Sequence, residues 1–132
     1  MSGAAAGSGL GSASSIAMPS ISMEVFGDVL VAHTPDELTE ETVGGFLYAL
    51  DAPIDEGRHR VVLHMDRTDA FDSRGLEGLL DLRDRVRSAG GTTKVSGLNP
   101  IARDVFRITR LDQAFESFPN VLDAVSSFVA AR

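Results

Sequence analysis

The chain has no cysteine and a single lysine, Lys94. Without cysteine there can be no disulfide, no thiolate nucleophile and no cysteine-ligated zinc or iron–sulfur centre. No apolar run approaches the roughly 20 residues that a bilayer-spanning helix needs. The first charged side chain is Glu24, so the basic start of a secretory signal is missing too. These gaps lead to the expectation of a cytoplasmic protein without membrane insertion. Cations are scarce, with 12 Lys and Arg against 19 Asp and Glu and a net charge of −7. They form no arginine cluster and no aromatic-basic alternation, so direct contact with nucleic acid is not expected.

What remains is an acidic chain of 132 residues, enough for one domain with a modest core. Residues 1–19 are glycine, alanine and serine with isolated apolar side chains, a composition that cannot bury enough surface to offset ordering. The expectation is a flexible tail over 1–19 and one folded domain over 20–132. Gly7-Ser8-Gly9-Leu10-Gly11 has neither the preceding strand nor the following helix of a phosphate loop.

Ile21 to Val25 alternates with period two, and Val29 to Ala32 is a short apolar run. Gly27-Asp28 between them predicts a hairpin. Val43, Phe46, Leu47 and Leu50 then recur at helical spacing, and Asp51-Ala52-Pro53-Ile54-Asp55-Glu56-Gly57 is expected to break that helix and cross to the next strand. Arg60 to Met65 reads as a buried central strand. Leu76, Leu79, Leu80, Leu82 and Val86 predict a second helix ending at Ala89-Gly90-Gly91. A strand over Lys94 to Leu98 follows. Asn99-Pro100 opens a third helix with Ile101, Val105 and Ile108 expected inward. An edge strand over Phe115 to Phe118 precedes a last helix, capped by Pro119-Asn120, with Leu122, Val125, Phe128 and Val129 expected inward. The order is ββαβαβαβα, an α/β domain with helices packed against a small mixed sheet.

The organising stretch runs from Val61 to Leu76, where a buried strand crosses through Asp66, Asp69 and Asp72 to a helix start occupied by Ser73. Unpaired N–H groups and the positive end of the helix dipole meet there, so Asp72 or Ser73 can cap them and a phosphate would be stabilised. Gly75 and Gly78 each cost about 1 kcal/mol relative to alanine in a helix. Their presence implies close approach of another backbone or of a partner protein. Ser73-Arg74-Gly75 is half of a nucleophile elbow, but Phe71 stands where the first glycine belongs, so no enzyme is expected. The three aspartates lack the further acids of a receiver-type metal site and read as solvated loop residues. No metal or other cofactor is expected. His64 reads as a hydrogen-bonded strand histidine.

Val61-Val62-Leu63, Phe71-Asp72-Ser73-Arg74-Gly75-Leu76, Gly90-Gly91, Asn99-Pro100 and Ile108-Thr109-Arg110-Leu111 together resemble the STAS domain family, the anti-sigma factor antagonists typified by stage II sporulation protein AA. Asp36 and Thr39-Glu40-Glu41-Thr42-Val43 resemble that family's first loop and helix, and the resemblance covers about residues 21–131. It implies a STAS-type single domain and a phosphoacceptor at Ser73. Its implied partners are an anti-sigma factor that is also a serine kinase, bound when Ser73 is unmodified and released when it is phosphorylated, and a phosphatase that resets it. The partner surface so implied is Asp36, Thr39, Asp72, Arg74, Gly75 and Gly78, and a homodimer is compatible with it. Arg74 replaces a small Ser or Thr, His33-Thr34-Pro35 replaces most of the pattern before Asp36, and Arg110 replaces a common glycine. The alternative within the family is a scaffold subunit, stressosome-like or transporter-associated, without a sigma-factor switch.

Overall fold

The structure is a computed structural model and describes residues 21–130. The expected tail over 1–19 lies outside the described residues. In chain order the elements are β1 (Met23–Phe26), β2 (Val29–His33), β3 (Glu37–Leu38), α1 (Glu40–Asp55), β4 (Arg60–His64), β5 (Ala70–Phe71), α2 (Ser73–Ser88), β6 (Thr92–Ser96), α3 (Pro100–Ile108), a 3-10 turn (Leu111–Gln113), β7 (Ser117–Phe118) and α4 (Val121–Ala130). Five strands form a sheet in the order β1-β2-β4-β6-β7, with β4 at its centre. Strand β1 pairs antiparallel with β2 across the Gly27-Asp28 turn, and the other pairings are parallel. Leaving aside the two-residue strands β3 and β5, which pair only with each other, the order is the expected ββαβαβαβα.

Alternation along the strands divides the core between the two faces of the sheet. Leu30, Ala32, Val61, Leu63 and Val95 pack with Phe46 and Leu50 of α1, Leu79, Leu82 and Val86 of α2, and Phe106 of α3. Val29, Val31 and Val62 pack with Ala124 and Phe128 of α4. Helix α2 ends as expected on glycine: Gly90 adopts φ +90, and the amides of Gly90 and Gly91 close on the carbonyls of Arg87 and Val86 at 2.9 Å each. Arg85 of α2 pairs with Asp51 and Asp55 of α1, which joins the two helices at that end.

Several expectations need correction: the strand expected over Lys94 to Leu98 lies at Thr92–Ser96, and the edge strand expected over Phe115 to Phe118 is only Ser117–Phe118. Helix α1 does not stop before Pro53 but runs through it to Asp55. In the last turn a proline forfeits a single ladder bond, and little helix remains beyond it to be broken. On α3 the buried line is Ala102 and Phe106, while Ile101 and Ile108 are exposed. On α4 Ala124 and Phe128 are buried and Val125 packs beside them, whereas Leu122 and Val129 face outward. In both short helices an alanine and a phenylalanine are the buried residues, and the larger aliphatic side chains of Ile101, Ile108, Leu122 and Val129 face outward.

Candidate functional site

The site lies beyond the carboxyl ends of β2 and β4, the edge of a parallel sheet where α/β domains place their functional loops. Chain leaving β4 passes through Met65–Asp69 before β5, and neighbouring segments brace this crossing. The Met65 amide donates to the Ser96 carbonyl at 2.9 Å and the Asp69 amide to the Asp36 carbonyl at 3.0 Å. Thr68 is fully buried, donates its hydroxyl to the Pro35 carbonyl at 2.6 Å, and so accepts from the Thr34 hydroxyl at 2.6 Å. Asn99 uses both ends of its amide: Oδ1 accepts the Ala102 amide at 2.8 Å to cap α3, and Nδ2 donates to the Thr68 carbonyl at 2.9 Å. A buried polar network with its partners supplied in this way fixes one loop geometry.

Strand β5 then delivers Asp72. Its Oδ1 accepts the Gly75 amide at 2.9 Å, capping α2, and its Oδ2 accepts the Glu40 amide at 3.0 Å, capping α1. One carboxylate thus closes the N-termini of two helices. The Glu40 amide first, then the Gly75 amide, hold the Asp72 carboxyl below its usual range, and the charge of Arg74 adds to them. Thr39 is the N-cap residue of α1, and its amide donates to Thr42 Oγ1 at 3.0 Å.

Ser73 is the first residue of α2 and is exposed. Arg74 is exposed beside it, and Asp36 is exposed with Arg67 Nε at 3.4 Å from its carboxylate. The chain therefore brings Asp36, Thr39, Asp72, Ser73 and Arg74 onto the elements that meet at the N-termini of α1 and α2. Gly75 and Gly78 are buried instead. A Cβ on Gly75 would sit 1.8 Å from the Leu38 carbonyl oxygen, and one on Gly78 would sit 2.3 Å from Val43 Cγ2. The close approach inferred from these glycines is made by the chain itself, which leaves neither a surface for a partner to touch.

Thr34, Thr68 and the Nδ2 tether of Asn99 were not visible as site residues, because each acts through a partner more than 30 positions away. Capping chemistry had marked Asn99, but only for its own helix. His64 is hydrogen-bonded as expected, with Nδ1 2.8 Å from Ser96 Oγ and Nε2 3.4 Å from Asp66. Among the described residues no three His, Asp or Glu side chains are arranged to hold a metal ion, and no helix is long and apolar enough to cross a membrane. The arrangement offers an accessible hydroxyl at the positive end of a helix, in a setting of fixed backbone, where added phosphate charge is favourably placed.

Solved structures share this fold at low identity. The anti-sigma-factor antagonist (STAS) domain protein from Planctomyces limnophilus is 18% identical with a TM-score of 0.73, over 83% of this chain and 97% of that one. The anti-sigma factor antagonist SpoIIAA in its unphosphorylated form is 17% identical with a TM-score of 0.65, over 86% of this chain and all of that one. The phosphorylated form of SpoIIAA, from Bacillus, aligns with a TM-score of 0.61 at 19% identity, over 83% of this chain and 99% of that one. A sulfate transporter family protein from Wolinella succinogenes is 15% identical with a TM-score of 0.64, over 79% of this chain and 87% of that one. No curated protein matches the sequence. The STAS domain model matches residues 20–124, and the chain belongs to the STAS domain family.

Proposed function

We propose that this chain is a cytoplasmic anti-sigma factor antagonist switched at Ser73, acting as a binding module rather than an enzyme. Unmodified, it docks an anti-sigma factor that is also a serine kinase, through Asp36, Thr39, Asp72, Ser73 and Arg74. Phosphorylated, it releases that partner, and a phosphatase restores it. The observation that carries this reading is the position of Ser73: an exposed hydroxyl on the first residue of α2, directly after the carboxylate that caps α1 and α2 together.

A phosphate there adds roughly −1.5 to −2 charges. Helix amides accommodate that charge in the free protein, whereas a docked partner meets it across an interface where like charges cost several kcal/mol. Each 1.4 kcal/mol is about tenfold in affinity, so one phosphate converts binding to release without refolding. A second reading draws support from the likeness to the Wolinella transporter family protein: the same surface would then hold a lasting contact, indifferent to Ser73 modification.

Coexpression with candidate anti-sigma serine kinases, followed by phosphosite mapping by mass spectrometry, tests the proposal. Phosphate on Ser73 is expected. If it never appears there and Ser73→Glu binds every partner as well as wild type, the switch is wrong.

A further inference from the structure

We infer that Arg74 is the built-in counter-ion of a phosphate on Ser73, so that modification both adds an anion to the docking surface and withdraws a cation from it. This rests on the reading of Ser73 as the phosphoacceptor. Helix stability does not account for Arg74. It is the second residue of α2, whose first turn carries no acid, and a cation is unfavourable at the positive end of a helix. Nor does a strong pair within the chain account for it. The side chain is 66% exposed, and its one ionic contact among the described residues is Nε to Glu77 Oε1 at 4.0 Å. Exposed contacts of that kind contribute little.

Asp72 accepts the amides of Glu40 and Gly75, and among the described residues no ion pair joins its carboxylate to the Arg74 guanidinium. The charge of Arg74 helps to hold the Asp72 carboxyl down, after the amides of Glu40 and Gly75. Consecutive helical side chains normally diverge. Ser73, however, heads the helix with no turn before it, and the long, exposed side chain of the next residue can turn back toward a phosphate there. Glu77 is four residues on from Ser73 and shares its face. A phosphate would repel Glu77 and offer Arg74 a bidentate, charge-assisted contact in exchange for a weak one. Asp36, Glu37, Glu40, Glu41, Asp69, Asp72 and Glu77 are the acids on the elements that meet at this corner, and Arg67, the other cation there, lies 3.4 Å from the Asp36 carboxylate. Arg74 is thus the cation best placed to offset the added charge.

The experiment needs no partner. Phosphoserine is installed biosynthetically at position 73, and its second ionisation, near pH 6 when unperturbed, is followed by ³¹P NMR in wild type, Arg74→Gln, Arg74→Lys and Glu77→Gln. Helix amides act on all four alike, so differences report the side chains. Wild type should titrate about 0.5 unit or more below Arg74→Gln. Arg74→Lys should keep most of that depression, and Glu77→Gln should deepen it. Indistinguishable titrations of wild type and Arg74→Gln would overturn the inference while leaving the sigma-factor switch untouched. Conversely, a phosphate that leaves partner affinity unchanged would sink the switch and leave the ion pair measurable.

Discussion

Asp72 Oδ2 accepts the backbone N–H of Glu40 at 3.0 Å across 32 positions of sequence. The residue that precedes Ser73 therefore holds the start of α1 as firmly as its own helix. Replacing Asp72 with alanine removes two caps at once, and the melting temperature should fall by about 5 °C or more, read by differential scanning calorimetry.

The same carboxylate sets a pH dependence. Its folded-state ionisation lies below the ordinary value near 3.9, so its contribution is fully present at neutral pH. Below about pH 4 it begins to fade, and it is lost as pH falls through the lowered folded value. Acid unfolding followed by circular dichroism should show a steeper loss of stability in wild type than in Asp72→Asn.

Three glycine-to-alanine substitutions should differ in sign and size. Gly75→Ala drives a methyl into the Leu38 backbone and should cost about 3 kcal/mol or more, because backbone cannot step aside. Gly78→Ala meets side chains rather than backbone, Val43 Cγ2 at 2.3 Å and Leu47 Cδ1 at 3.4 Å, and should cost about 1–2 kcal/mol. Gly44 is exposed in α1, and a methyl added there would have nothing within 4 Å, so alanine should stabilise by about 0.5–1 kcal/mol. Urea unfolding of the three variants checks the ranking.

Arg110 has φ +67 and is the one non-glycine residue of positive φ among the described residues. It stands where the resemblance expects glycine, and the backbone supplies the reason: an L side chain in the left-handed region is strained. Arg110→Gly should stabilise the protein by about 1 kcal/mol in the same urea assay.

These sites also mark how far the sequence could be read. The buried strand at Val61–Leu63, a cap at Asp72 or Ser73, the glycine stop after Ala89 and the Asn99-Pro100 helix start were all legible, because each depends on residues close together in the sequence. Helix faces were less so. In nine and ten residues α3 and α4 offer two apolar stripes each, and volume alone favours Ile101, Ile108, Leu122 and Val129 over the alanines that are in fact buried. Strands β3 and β5 have two residues apiece, too few for any period. The second cap made by Asp72 and the Thr34–Thr68–Asn99 brace join residues more than 30 positions apart, and only folding brings them together.

The central claim is that charge added at Ser73 governs docking. Its most direct measurement is isothermal titration of a phosphorylating anti-sigma partner, made unable to transfer phosphate, with the unmodified protein and with protein carrying phosphoserine at 73. The account predicts that phosphorylation weakens binding by about 100-fold or more, equivalent to about 3 kcal/mol. Equal affinity of the two forms would contradict it.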